Sequence, residues 1–76
     1  MPKLPAVSGE EAVRFFKKIG YEIKRQKGSH VRLHHKFDPK KKPLTIPRHK
    51  ELGKGLLHKI LRDAELSLEF FIENLK

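Results

Sequence analysis

The chain holds 76 residues with no cysteine, and its 18 Lys and Arg outnumber nine Asp and Glu, giving a formal charge of +9. That length suits a single domain over residues 1–76 with a modest core, and the missing cysteine excludes disulfides and thiolate metal sites. No apolar run approaches the length of a membrane span and Met1 to Gly9 has no apolar signal core, so a soluble cytoplasmic protein is the expectation.

Residues 1–7, with Pro2 and Pro5, read as an extended lead-in. Ser8 with Glu11 three residues on is a capping-box pattern, and Val7 with Ala12 is placed as a hydrophobic staple. Ala12, Phe15, Phe16 and Ile19 form one apolar stripe, which predicts a helix over about 9–19 that Gly20 ends as a left-handed C′ residue. Tyr21 to Gln26 alternates, with Tyr21 and Ile23 on one side and Glu22 and Lys24 on the other, and reads as a strand. Lys27-Gly28 reads as a hairpin turn, because glycine takes φ > 0 without steric cost. Ser29 to Lys36 is the second strand, with Val31 and Leu33 facing the core and His30, Arg32 and His34 the opposite face.

Phe37 to Pro43 reads as a loop carrying Lys40, Lys41 and Lys42; the triplet is given no dedicated role. Leu44-Thr45-Ile46 is a third strand bounded by Pro43 and Pro47. After a connector, Leu56, Leu57, Ile60, Leu61 and Ala64 define a helix over about 54–64. Ser67 caps a short last helix with Leu68, Phe71, Ile72 and Leu75. The expected fold is α+β: α-β-β-β-α plus a short C-terminal helix, a three-stranded antiparallel sheet with two helices on one face. By analogy this layout resembles the double-stranded-RNA-binding fold in miniature.

The charge is uneven. From Lys24 to Arg62 thirteen Lys or Arg meet two acids, Asp38 and Glu51, whereas four acids follow from Asp63 onward. A basic middle points to phosphates, with nucleic acid first. An anionic membrane fits less well, since no segment is basic on one face and rich in Leu, Phe or Trp on the other.

Five histidines raise the question of metal. His34 and His35 point to opposite faces of their strand, and His30 and His34 stand roughly 13 Å apart along it. Neither pair can clamp one ion with bonds of about 2.1 Å, and a site joining His30 to His49 across strands stays open but has no spacing signature; no metal and no small-molecule cofactor is the expectation. A serine hydrolase needs an orienting acid beside its base, and acids are nearly absent around Ser29. Cleavage of RNA needs less. The ribose 2′-hydroxyl is a built-in nucleophile, a histidine can take its proton, and Lys or Arg can stabilise the charge gathering at phosphorus. On residue type alone, His30 also reads as a surface histidine in a basic hairpin. A non-catalytic RNA-binding module would share the fold and charge, and a protein-interaction module would dock through Leu68 to Leu75.

Gly28-Ser29-His30-Val31, then Ile46-Pro47-Arg48-His49, then Gly55-Leu56-Leu57-His58-Lys59-Ile60-Leu61-Arg62 resemble the HicA family of toxin mRNA interferases. Leu4-Pro5, Ser8-Gly9 and Ile19-Gly20-Tyr21 match as well, so the resemblance covers nearly the whole chain in order. It implies a double-stranded-RNA-binding-like fold, ribosome-independent cleavage of mRNA that arrests translation, a role in bacterial or archaeal stress responses, and a cognate HicB-type antitoxin as partner. It places the catalytic histidine at His30. Ser29 and His49 are candidate supports; the Ser29 hydroxyl equally suits stabilisation of the turn, and a histidine in Pro-Arg-His more often caps a connector. Arg25, Lys27, Arg32 and Arg48 are candidate RNA contacts. His34, His35 and His58 read as surface residues. One departure stands out: where relatives often have glycine after the alanine that closes the second helix, this chain has Glu65. Either the helix extends there or Glu65 adopts a strained left-handed conformation.

Overall fold

The computed structural model describes residues 4–75, and the start of the expected lead-in, residues 1–3, lies outside them. The elements follow as α1 (Gly9–Lys18), β1 (Tyr21–Lys27), β2 (His30–His35), β3 (Leu44–Pro47), α2 (Lys54–Asp63) and α3 (Leu68–Asn74). The strands form an antiparallel meander in the order β1-β2-β3. This is the predicted α+β architecture, a three-stranded sheet with three helices.

Helix α1 starts where its capping chemistry dictates. The Ser8 hydroxyl accepts from the Glu11 amide at 3.1 Å, and the Ser8 amide donates to the Glu11 carboxylate at 2.9 Å. Those two bonds to Ser8 hold the exposed Glu11 carboxyl below its ordinary range, with Arg14 adding to the effect. Val7 and Ala12 are both buried in the same cluster, as a staple requires. Gly20 then reverses the chain at φ 112°. A Cβ there would sit 2.8 Å from His35 Nε2, so the site needs glycine for space as well as for φ.

The inward faces of α1, α2 and the sheet share one core. Phe15 and Phe16 from α1, Val31 and Leu33 from β2, Leu44 and Ile46 from β3, Leu57 from α2 and Phe71 from α3 are all essentially inaccessible. Phe71 stacks edge-on against Phe15 with centroids 4.7 Å apart, which docks α3 onto α1. The outward face of β2, with His30, Arg32 and His34, stays exposed.

Two local departures from regularity matter. Ile23 pairs with Leu33, but Arg25, not Lys24, pairs with Arg32, so Lys24 is the extra residue of a β-bulge. In a regular strand Arg25 would share the face of Ile23; the bulge carries it to the outward face instead. Helix α2 closes with Leu66 N–H donating to Leu61 at 2.9 Å and Glu65 N–H to Arg62 at 3.0 Å. That is a Schellman motif whose C′ residue is Glu65, at φ 59°. Of the two alternatives at Glu65, the chain takes the left-handed one. Among the described residues no helix is long and apolar enough to cross a membrane.

Candidate active site and basic sheet face

The β1–β2 hairpin closes with Lys27 opposite His30, leaving Gly28 and Ser29 as a two-residue loop. The turn therefore falls one residue later than predicted, and Lys27 is the last rung of the ladder. Gly28 has φ 59°, and Ser29 is outside the left-handed region, the pattern of a type II′ turn with glycine first. Open space surrounds the position of a Gly28 Cβ, so the requirement there is conformational alone.

His30 is exposed at the mouth of the central strand, between Lys27 on β1 and Pro47 on β3. Pro47 has no amide to donate. The link is made one residue later, by the Arg48 amide donating to the Ser29 carbonyl at 2.7 Å. The Pro47-Arg48-His49 segment is thereby fastened to the hairpin tip. It is fastened a second time from α1, where the Gly9 amide donates to the His49 carbonyl at 2.9 Å, and the Leu52 amide donates to Val7 at 2.7 Å. Two segments distant in sequence, 28–30 and 47–49, so become one surface.

The predicted site residues fall into three groups. His30, Ser29 and Lys27 lie together at the tip, all exposed. No hydrogen bond joins the Ser29 hydroxyl to the His30 ring among the described residues. Arg25 and Arg32 face each other across β1 and β2, and Arg32 Nη1 donates to Thr45 Oγ1 at 2.8 Å on β3. Like charges directly opposite destabilise a ladder, an arrangement that an anion on this face would relieve. Arg48 and His49 form the third group. The His49 side chain is exposed, whereas Arg48 Nε lies 3.0 Å from Glu10 Oε1, an ion pair that ties the connector to α1.

The other histidines separate clearly. His34 and His58 are exposed, as expected. His35 is half-buried instead: its ring packs edge-on to Tyr21 at 4.9 Å, and its Nδ1 accepts the amides of Phe37 at 3.2 Å and Asp38 at 3.0 Å. It is a structural acceptor that holds the β2–β3 loop. Among the described residues no three of His, Asp and Glu converge as a metal ligand set. Sequence reasoning missed the placement of Arg25 and the role of His35. The bulge and the close packing of Gly20 that cause them leave no mark in residue type.

Fold and charge together define a small basic α+β domain with one free, cation-bearing sheet face. The chain matches the HicA toxin of bacterial toxin-antitoxin systems over residues 9–66, from the first residue of α1 to the Schellman motif after α2, and it belongs to that family. It is thus the toxin component of such a system, with an antitoxin as its partner. No curated protein matches the chain.

Proposed function

We propose that this toxin is a metal-independent endoribonuclease that cleaves mRNA through His30 and so stops translation. The observation that carries the reading is the exposed His30 ring at a rigid hairpin mouth, beside Lys27 and on the same face as Arg25 and Arg32. In the reaction His30 takes the proton of a ribose 2′-hydroxyl. The freed oxygen attacks the adjacent phosphorus, the bond to the 5′-oxygen breaks, and that oxygen is protonated as it leaves. The products are a 2′,3′-cyclic phosphate and a 5′-hydroxyl. Lys27, Arg25 and Arg32 bind the phosphates, and Arg48, held by Glu10, offers its terminal N–H groups. Ser29 orients phosphate or the ring, and His49 is the candidate second proton carrier. A HicB-type antitoxin in the same cytoplasm covers this face until it is degraded.

The test is incubation of labelled RNA with the purified chain in EDTA. Cleavage by the wild type and none by His30→Ala, with unchanged far-UV circular dichroism, is the expected outcome. Retained cleavage in the variant ends the assignment, and a mobility shift without cleavage makes the domain an RNA binder.

A further inference from the structure

Three large apolar side chains are exposed among the described residues: Ile23, Phe37 and Phe70. Ile23 lines a shallow groove against α1, and Phe70 leans edge-on to Phe15 at 6.2 Å. Phe37 differs from both. It is 79% exposed, and among the described residues its one ring neighbour is His35 at 6.2 Å.

The backbone that presents Phe37 is nonetheless firmly held. Lys36 N–H donates to Gly20 at 2.8 Å, and the Phe37 and Asp38 amides both donate to the His35 ring. Further along, Lys41 Nζ donates to the Ala64 carbonyl at 3.2 Å, which ties the loop to the end of α2. Lys41 is thereby occupied, while Lys36, Lys40 and Lys42 are exposed and, among the described residues, form no ion pair, although Lys36 and Lys42 lie close enough to Glu22 and Asp63 to help lower those carboxyls. An anchored aromatic ring among exposed cations is the arrangement that single-stranded nucleic acid uses, with the base on the ring and its phosphates on the lysines.

Its position adds to this. Lys36 follows directly on His35, the last residue of β2, and Phe37 stands at the exit of the same strand. The five steps of β2 from His30 to His35, at about 3.3 Å each, put the exit of the strand roughly 17 Å from His30. A stacked strand advances about 3.4 Å per nucleotide, so roughly five nucleotides bridge the two. We propose that Phe37, with Lys36, Lys40 and Lys42, is a base-stacking subsite for single-stranded RNA at the end of the sheet opposite His30. A lipid surface suits the patch less, because one ring offers little apolar area to bury in a bilayer but is enough for one base.

The subsite rests on reading the sheet face as an RNA track. Its test therefore separates binding from cutting. A single-stranded oligodeoxythymidine of about twelve nucleotides spans the whole track, and it cannot be cut because it lacks the 2′-hydroxyl. Anisotropy titrations with the full chain are expected to show about tenfold weaker binding for Phe37→Ala, recovery by Phe37→Tyr and no recovery by Phe37→Leu. The exposed position leaves folding intact, which circular dichroism checks. Equal binding by Phe37→Ala, full recovery by Phe37→Leu, or no binding by the wild type overturns the subsite. So does Phe37-dependent binding to phosphatidylserine vesicles without binding to the oligonucleotide. Cleavage of labelled RNA, read in parallel, decides the nuclease reading: uncut RNA with Phe37-dependent oligonucleotide binding removes the nuclease and leaves the subsite.

Discussion

Gly9 and Pro47 approach so closely that a Cβ on Gly9 would collide with the Pro47 carbonyl oxygen, while the Gly9 amide reaches past it to the carbonyl of His49. The first turn of α1 is therefore the clamp that presses the Pro47-Arg48-His49 segment against the hairpin tip. Gly9→Ala must push backbone from backbone, which costs about 1–3 kcal/mol. Denaturant titration should show that loss, and RNA cleavage should fall further than stability does, because His49 and Arg48 shift away from His30. Wild-type stability in the variant would mean that the clamp is loose.

Arg25 and Arg32, opposed on the outward face, are expected to act as phosphate contacts. Arg25→Ala or Arg32→Ala should weaken RNA binding regardless of sequence and lower the salt slope by about one ion. Removing either charge also relieves the like-charge pair, so folding stability should hold or rise. An unchanged salt slope would exclude the replaced arginine from the binding face.

Glu65 occupies the left-handed C′ position of the α2 Schellman motif at φ 59°. A side chain there costs about 1–2 kcal/mol, part of which glycine returns as unfolded-state entropy. Glu65→Gly should stabilise the domain by about 0.5–1 kcal/mol and raise Tm by a few degrees. A lower Tm would show that the Glu65 side chain contributes more than its backbone strain costs.

Tyr21 is buried, and among the described residues its hydroxyl has no hydrogen-bond partner. Burial, with the Glu65 and Asp38 carboxylates adding to it, holds this hydroxyl above the ordinary tyrosine value of 10.0. Tyr21→Phe removes an unsatisfied group worth about 1–3 kcal/mol and should stabilise the fold at neutral pH. Because the folded-state value is raised, the native state keeps a proton that the unfolded chain releases. This contribution is full below pH 10.0 and is lost as pH rises through the folded-state value. Melting curves from neutral to alkaline pH should therefore show the advantage of Tyr21→Phe widening from pH 10.0 up to the raised folded-state value and levelling off beyond it.

Much of this protein was legible from its residues because the signals are local. The Ser8–Glu11 box, the apolar stripes of α1 and α2, the alternation through Val31 and Leu33, and the Ser67 cap each depend on neighbours within a turn or two. Both the element order and the outward placement of His30 follow from them. Even the alternatives for Glu65 were readable, since a left-handed C′ residue or a longer helix are the choices a helix end allows. What the sequence could not decide depends on residues that meet across the fold. The bulge at Lys24 that turns Arg25 outward is set by how β1 pairs with β2. His35 became a loop anchor because Gly20 left room for its ring. The clamp of Gly9 on residues 47–49 exists only once α1 lies against the end of β3. Local periodicity encodes which face a residue prefers, but only packing between distant segments decides which side chains share a site.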